Sequence, residues 1–138
     1  EVERLLATAY GKPLREVFSR FELEPIASAS VAQVHIAQLP DGREVAVKVL
    51  RPGIAGIIAK DVALLDTAGL LLEWLWSDGR RLKPREVVAE FARHLEDELD
   101  LMREAANANQ LRRNFQNSPL LAVPEVYWDW CATEVMVM

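Results

Sequence analysis

The chain has 138 residues, of which 51% are hydrophobic and 27% are charged, and its formal net charge at pH 7 is -5. This length fits one globular domain or a piece of a larger one, and the hydrophobic share is large enough for a real core. The acidic balance, with no clustered Lys and Arg, excludes nucleic acid as a partner because phosphate binding needs basic patches.

The cysteine and histidine content and the hydropathy exclude an internal disulfide, a zinc-like ligand cluster and a membrane-spanning helix. Cys131 is the single cysteine and cannot form an internal disulfide, which favours a reducing, cytosol-facing compartment. His35 and His94 are too far apart in sequence for a zinc-like ligand cluster. The most apolar segment, Val62 to Trp76, contains two acidic residues and is shorter than the roughly 20 residues of a spanning helix, so no membrane crossing is predicted.

The first 20 residues are predicted to form a helical extension. Val2 to Tyr10 has the pattern of a short helix that Gly11 stops, and Pro13 is suited to be the first residue of a second helical stretch to about Ser19.

Residues 21–50 are predicted to hold the first three strands. Phe21 to Ile26 is extended, and β-branched residues dominate Val31 to Leu39 and Glu44 to Leu50. The intervening Pro40-Asp41-Gly42 favours a tight turn with positive φ, which predicts a β-hairpin.

Two helical segments follow, within residues 54–79 and 84–116. Ile57 to Trp76 is too densely apolar for a helix with one buried face, so this helix needs partners on several sides. After a break at Ser77-Asp78-Gly79, Pro84 can open a long helix to about Phe115. Its predicted buried stripe comprises Val88, Phe91, Leu95, Leu99, Met102 and Ala106.

Residues 122–138 are predicted to form the last two strands, Ala122 to Tyr127 and Glu134 to Met138, around a turn at Asp129 to Thr133. Asn117-Ser118-Pro119 would end the preceding helix. The predicted fold class is α+β, a small antiparallel sheet backed by helices.

Lys48 is the first candidate for chemistry. Strand alternation puts Val45, Val47 and Val49 on one face and Ala46, Lys48 and Leu50 on the other, so both faces are apolar apart from one ammonium. Such a lysine either lies near an edge with its head in water, or is partly buried and needs an anion.

Candidate anions lie on the long helix. Asp97, Asp100 and Glu104 are spaced three and four apart and would form one acidic ridge, while Glu98 lies on a neighbouring face. The alternative is a solvated acidic face supported by arginines on the same helix. Ala105-Ala106 would let this turn pack close to the sheet, so that Glu104 could reach Lys48.

The segment before the hairpin carries alanines where a kinase's phosphate-covering loop carries glycines. Ala27, Ala29 and Ala32 disfavour positive φ, since a forced left-handed alanine costs roughly 1–2 kcal/mol. They predict a stiffer loop of ordinary conformation, in which Ser28 and Ser30 offer hydroxyl donors.

Four stretches together resemble the UbiB family of atypical protein-kinase-like proteins, also called aarF-domain kinases. They are P-I-A-S-A-S-V-A-Q-V-H, D-G-R-E-V-A-V-K-V-L-R-P-G, E-L-D-L-M-R-E-A-A-N and V-P-E-V-Y-W-D. The resemblance covers about Phe18 to Met138 and is most similar to the bacterial ubiquinone-biosynthesis members.

The resemblance implies a protein-kinase-like N-lobe and a nucleotide site. Lys48 would contact the phosphates and pair with Glu104, as the candidate catalytic residues, while Val34 and Ala46 would cover the adenine. Glu98 and Asp100 would be the family's E-x-D motif. The implied nucleotide loop comprises Ala27, Ser28, Ala29, Ser30, Val31 and Ala32.

Other family motifs are absent from the sequence. There is no K-x-G-Q motif, no catalytic loop with its aspartate and asparagine, and no D-F-G-type aspartate. Met138 falls just before the position of the kinase hinge, so the chain is expected to be an N-lobe fragment. ATP is the implied cofactor, with Mg²⁺ held by the missing C-lobe. The fragment alone is therefore expected to be inactive.

The helix from Ile57 to Trp76 matches a family-specific insertion. It either packs within the lobe or contacts partners, and Trp74 and Trp76 would suit a membrane interface. The resemblance implies ubiquinone-biosynthesis proteins and membrane lipid as partners, at the cytoplasmic side of the bacterial inner membrane.

Two hypotheses about function follow. The first is an ATP-dependent atypical kinase or ATPase that supports ubiquinone biosynthesis. The second is a pseudokinase-like scaffold, or a module that binds lipid or partners, with nucleotide as a conformational signal.

Overall fold

A computed structural model describes residues 1–76, 79–116 and 118–138. The chain divides into two compact units. The first contains Glu1–Pro52 and Leu99–Met138, and the second contains Gly53–Glu98.

The first unit begins with two short helices, α1 (Val2–Tyr10) and α2 (Leu14–Val17). Gly11 ends α1 in the left-handed conformation, φ 66°, as predicted. Pro13 precedes α2 as its cap residue instead of being its first residue, and the helix stops two residues before Ser19 because Phe18 is extended.

One antiparallel sheet forms the centre of the first unit. Its strands lie in the order β1, β3, β4, β5, and β2 also pairs with β3. The strands are β1 (Arg20–Phe21), β2 (Ala27–Ser28), β3 (Ala32–Gln38), β4 (Glu44–Leu50) and β5 (Val135–Val137). The β3–β4 hairpin is confirmed, with Gly42 at φ 90° in its turn. The α+β fold class is confirmed as well.

Two predicted strands differ from the observed ones. Phe21 to Ile26 is not one strand, because Pro25 has no N–H to donate and the chain leaves β3 between β1 and β2. Ala122 to Tyr127 forms no strand, since Pro124 likewise lacks a donor. Only the N–H of Tyr127, which donates to the carbonyl of Val137 at 2.9 Å, joins this segment to β5.

The core of the first unit lies on one face of the sheet. Val45, Val47 and Val49 are all buried there, as the alternation of β4 predicts. The same cluster contains Leu6, Leu14, Val17, Phe18, Ala37, Leu39, Val135 and Val137. The sheet is therefore sealed by α1 and α2 on this face.

The second unit is helical and contains α3 (Ile54–Leu75), α4 (Gly79–Leu82) and α5 (Pro84–Glu98). Gly69 of α3 is buried, and a Cβ at this position would lie 3.2 Å from Cγ of Arg85, so α3 and α5 approach closely. Arg85 also donates to Asp66 of α3 at 2.9 Å. The predicted break after Trp76 and the predicted stop at Asn117 include residues outside the described ranges.

The predicted single long helix over residues 84–116 is wrong. It is divided into α5 and a separate helix, α6 (Leu101–Asn114), which belongs to the first unit. Asp100 leaves helical geometry, and its carboxylate accepts from the N–H groups of Met102 and Arg103. A residue that caps the next helix in this way cannot continue the previous one.

The break also changes which side chains are buried. Phe91 and Ala106 of the predicted stripe are exposed, and the buried residues of α6 are Leu101 and Ala105. Because Asp100 begins a new helix, residues of α5 and residues of α6 that are three or four apart do not lie on one common helix face.

Candidate functional site

The centre of the candidate site is an ion pair between β4 and α6. Nζ of Lys48 lies 2.5 Å and 2.7 Å from the two carboxylate oxygens of Glu104. Side-chain exposure is 25% for Lys48 and 45% for Glu104. The lysine side chain is therefore mostly covered while the glutamate is nearly half exposed, and the prediction that Glu104 reaches Lys48 is confirmed.

Ala105 explains why α6 comes close enough to the sheet. This residue is fully buried next to Glu104, and a larger side chain would hold the helix further away. Ala106 is exposed, so only the first of the two predicted small residues has this role.

The strand register places the predicted residues around Lys48 on one side of the sheet. Val34 lies directly opposite Lys48 on β3, and Ala27 lies opposite Val34 on β2. Directly opposed residues of antiparallel strands share a face. We call this side the site face, and it carries Ala27, Ala29, Ala32, Val34, Ala46 and Lys48.

The alanine-rich loop has an ordinary conformation. The N–H of Ala29 donates to the carbonyl of Ala32 at 2.8 Å, which leaves Ser30 and Val31 at the tip of a tight turn. Within the described ranges, Lys83 is the one non-glycine residue with positive φ. The alanines therefore fit their backbone without left-handed strain, as the sequence predicts.

Ser28 does not share the site face. It pairs with Gln33, one residue out of phase with Ala27, so its side chain lies on the opposite side of the sheet. Its Oγ accepts a hydrogen bond from Nη2 of Arg51 at 2.6 Å. The structure therefore turns Ser28, a predicted loop residue, away from Lys48.

Arg51 is missing from the predicted site residues. Besides its contact with Ser28, its Nε donates to the carbonyl of Ala29 at 2.9 Å and its N–H to the carbonyl of Val31 at 2.8 Å. Its position just after β4 was visible in the sequence. The contact depends on the pairing of β2 with β3, which the sequence did not supply.

The two acidic residues of the E-x-D motif have different structural positions. Glu98 is the last residue of α5 and belongs to the second unit, whereas Asp100 belongs to the first. The carboxylate of Asp100 caps α6. The predicted acidic ridge through Asp97, Asp100 and Glu104 is wrong because these residues do not share one continuous helix.

Burial raises the pKa of two other titratable groups in the first unit. The hydroxyl of Tyr10 donates to the carbonyl of Trp130 at 2.7 Å, and desolvation raises the pKa of this phenol well above its usual value. Desolvation also raises the pKa of the Cys131 thiol. Cys131 is therefore a poor nucleophile at neutral pH.

The described ranges contain no group of three or more His, Cys, Asp or Glu side chains placed to hold a metal ion. Among the helices in these ranges, none is long and apolar enough to cross a bilayer.

A lysine on a central strand, paired with a glutamate on a helix next to the sheet, is the arrangement that protein kinases use in their N-terminal lobe. The sheet, the ion pair and the alanine-rich loop on the same face define a kinase-like N-lobe. The chain belongs to the ABC1 atypical kinase-like family, whose domain model matches residues 1–138.

Curated relatives with the name "Probable protein kinase UbiB" are similar over nearly the whole chain. The protein from Pseudomonas fluorescens (strain Pf0-1) is 56% identical over 135 residues, 98% of this chain and 25% of the relative. The protein from Cellvibrio japonicus (strain Ueda107) is 55% identical over 138 residues, 100% of this chain and 25% of the relative. The chain thus spans about a quarter of the length of these relatives.

A solved structure has the same fold. It is the Mycobacterium tuberculosis protein Rv3197 in complex with erythromycin, with a TM-score of 0.72 and 34% identity. The match covers 97% of this chain and 33% of the other. The resemblance to an atypical kinase-like family is confirmed.

Proposed function

We propose that the chain forms the N-lobe side of an ATP site, in a UbiB-type atypical kinase or ATPase that supports ubiquinone biosynthesis. The observation that carries this proposal is the Lys48–Glu104 ion pair on the same face as the alanine-rich loop. The name of the relatives supports the ubiquinone pathway.

Each group on the site face has a chemical task in this proposal. Lys48 holds phosphate oxygens of ATP, and Glu104 orients the ammonium. Val34 and Ala46 give the adenine ring an apolar surface, and the turn from Ala29 to Ala32 covers the phosphates. These residues fit a nucleotide because one cation lies within an otherwise apolar face.

Magnesium is assigned to a different part of the protein. In this proposal the magnesium ligands lie in the C-lobe of the whole protein, where protein kinases hold the ion. The chain alone is then expected to be unable to transfer a phosphoryl group.

Calorimetric titration of the full-length protein and of this chain with ATP and ADP, with and without magnesium, tests the proposal. Magnesium-dependent binding is expected for the full-length protein and not for the chain alone, since the site needs both lobes. No binding by either sample would contradict it.

The alanine-rich loop gives a second prediction. Replacing Ala29 by glycine should change the affinity for ATP or ADP about two- to fivefold, because glycine frees a backbone that alanine restricts by roughly 0.5–1 kcal/mol. The measurement is calorimetry of both nucleotides on the full-length protein, with the melting temperature as a control for folding. Identical affinities for both nucleotides before and after the change would refute the prediction.

A scaffold function is the second candidate, and the surface of α3 favours it. Leucines on several sides of this helix are exposed, as are Trp74 (78%) and Trp76 (55%). The partners proposed for this surface are ubiquinone-biosynthesis proteins and membrane lipid, at the cytoplasmic side of the inner membrane.

Replacing Trp74 and Trp76 together by alanine tests the scaffold function. We expect loss of co-purifying partner proteins or of vesicle binding, because exposed tryptophans carry much of the apolar contact area. Trp128→Ala is the matched control, since Trp128 is an exposed tryptophan of the first unit. Unchanged pull-down and vesicle binding in the double variant would count against the scaffold.

A further inference from the structure

Arg51 holds the alanine-rich loop at three points. Its Nε donates to the carbonyl of Ala29, its Nη2 to the hydroxyl oxygen of Ser28, and its own N–H to the carbonyl of Val31. The donor–acceptor distances are 2.9, 2.6 and 2.8 Å in that order. One residue therefore contacts the incoming strand of the loop and its tip.

Arg51 contacts the loop from the side of the sheet opposite Lys48. β4 ends at Leu50, and the N–H of Arg51 donates to the carbonyl of Val31, which extends the antiparallel pairing by one residue. Alternation counted from Lys48 along this extension places the side chain of Arg51 on the opposite face of the sheet. Arg51 reaches Ser28, which also lies on the face opposite Lys48. The guanidinium thus holds the loop from behind and leaves the site face open.

Lys48 lies on β4, and the loop is held by Arg51, the residue that follows β4. The positions of the loop and of Lys48 therefore depend on the same strand. The carbonyl of Ala29 accepts from Arg51 while the N–H of Ala29 closes the turn with Ala32. Movement of the turn towards or away from Lys48 would break both side-chain bonds of Arg51.

We propose that Arg51 is a positioning residue that sets the distance between the alanine-rich loop and Lys48, and thereby the affinity of the site for nucleotide. The inference rests on the proposed ATP site. Arg51 would then stiffen the loop in addition to the alanines, because its planar guanidinium holds two acceptors at once.

The chemistry of arginine makes the inference specific. A lysine at position 51 would keep the charge, but its single ammonium on a flexible stem would not hold two acceptors in one plane. The positive charge of lysine in Arg51→Lys is therefore expected to restore little of the ATP affinity that Arg51→Ala loses.

The test measures ATP and ADP affinity of the full-length protein by calorimetry. We expect Arg51→Ala to weaken ATP binding about tenfold, because hydrogen bonds to a charged group are lost from the loop. Ser28→Ala removes one of the two side-chain contacts and should weaken it about threefold, while Arg51→Lys should resemble Arg51→Ala. Arg20→Ala is the control, since Arg20 is an exposed arginine of the same sheet that pairs with Glu22.

The ATP affinity of the double variant Arg51→Ala/Ser28→Ala distinguishes a positioning role of Arg51 from a general loss of stability. If Arg51 acts on the loop through Ser28, the double variant should bind ATP no more weakly than Arg51→Ala alone. Hydrogen exchange at the amide of Ala29, which donates to the carbonyl of Ala32, should accelerate in Arg51→Ala and stay unchanged in Arg20→Ala.

The outcomes distinguish this inference from the proposed function. Unchanged or tighter ATP binding in Arg51→Ala, while Lys48→Ala loses binding, would overturn the role of Arg51 and leave the ATP site intact. Additive effects of the Arg51 and Ser28 substitutions would also overturn it. Absence of nucleotide binding by the unsubstituted protein would overturn both proposals.

Discussion

Replacing Lys48 by alanine is expected to weaken ATP binding by the full-length protein about 10- to 100-fold. The loss corresponds to hydrogen bonds between an ammonium and phosphate oxygens, which contribute roughly 1.5–3 kcal/mol. ATP turnover should fall at least as far, because in the proposed site the same contact orients the transferred phosphate. The measurements are calorimetry with magnesium and ATP, and release of inorganic phosphate.

The folded state should change far less than the affinity. Because Glu104 is nearly half exposed, its ion pair with Lys48 is expected to contribute only about 0.2–1 kcal/mol to stability, so the melting temperature should fall only slightly. Lys12→Ala is the matched control, since Lys12 is an exposed lysine of the same unit that lies outside the sheet. A large loss of affinity with little loss of stability would identify a binding role.

Glu104→Gln refines the same test. Glutamine keeps a carbonyl oxygen that can accept from Lys48 but removes the negative charge that balances the ammonium. We expect a loss of affinity smaller than that of Lys48→Ala. ATP turnover that survives Lys48→Ala intact would contradict the proposed role of the pair, whatever Glu104→Gln does.

The parts of the fold that were predicted correctly depend on local chemistry. The β3–β4 hairpin follows from β-branched runs around Pro40-Asp41-Gly42, and the end of α1 from Gly11. The Lys48–Glu104 contact was also predicted, because one cation on an apolar strand needs an anion and Ala105 permits a close approach.

The features that the sequence did not predict, the helix break at Asp100 and the contacts of Arg51, depend on tertiary interactions. Aspartate is a favoured N-cap residue, so Asp100 carries a local signal for a helix start, but the three-and-four spacing fits a continuous helix equally well. The N–H of Leu101 donates to the carbonyl of Thr133 at 2.9 Å, and this tertiary bond at the start of α6 has no counterpart in the local sequence pattern. The roles of Ser28 and Arg51 depend on the register of β2 with β3, where a shift of one residue reverses the faces. No local pattern in this chain fixes that register.

Ala105 should be the most sensitive position for the geometry of the pair. Replacing it by leucine inserts a large side chain into a fully buried contact and should lower the free energy of unfolding by about 1–3 kcal/mol. The displaced α6 would carry Glu104 away from Lys48. We therefore also expect ATP affinity to fall roughly tenfold, which is measured by calorimetry beside chemical denaturation.

Ala106→Leu is a matched control for this prediction, because it makes the same substitution one residue later at an exposed position. It should change stability by less than about 0.5 kcal/mol and leave the affinity unchanged. In a Lys48→Ala background, Ala105→Leu should still destabilise the protein but should cause no further loss of ATP affinity, since the contact it disturbs has already been removed. Equal ATP affinities for Ala105→Leu and Ala106→Leu would show that nucleotide binding does not depend on the close approach of α6 to the sheet.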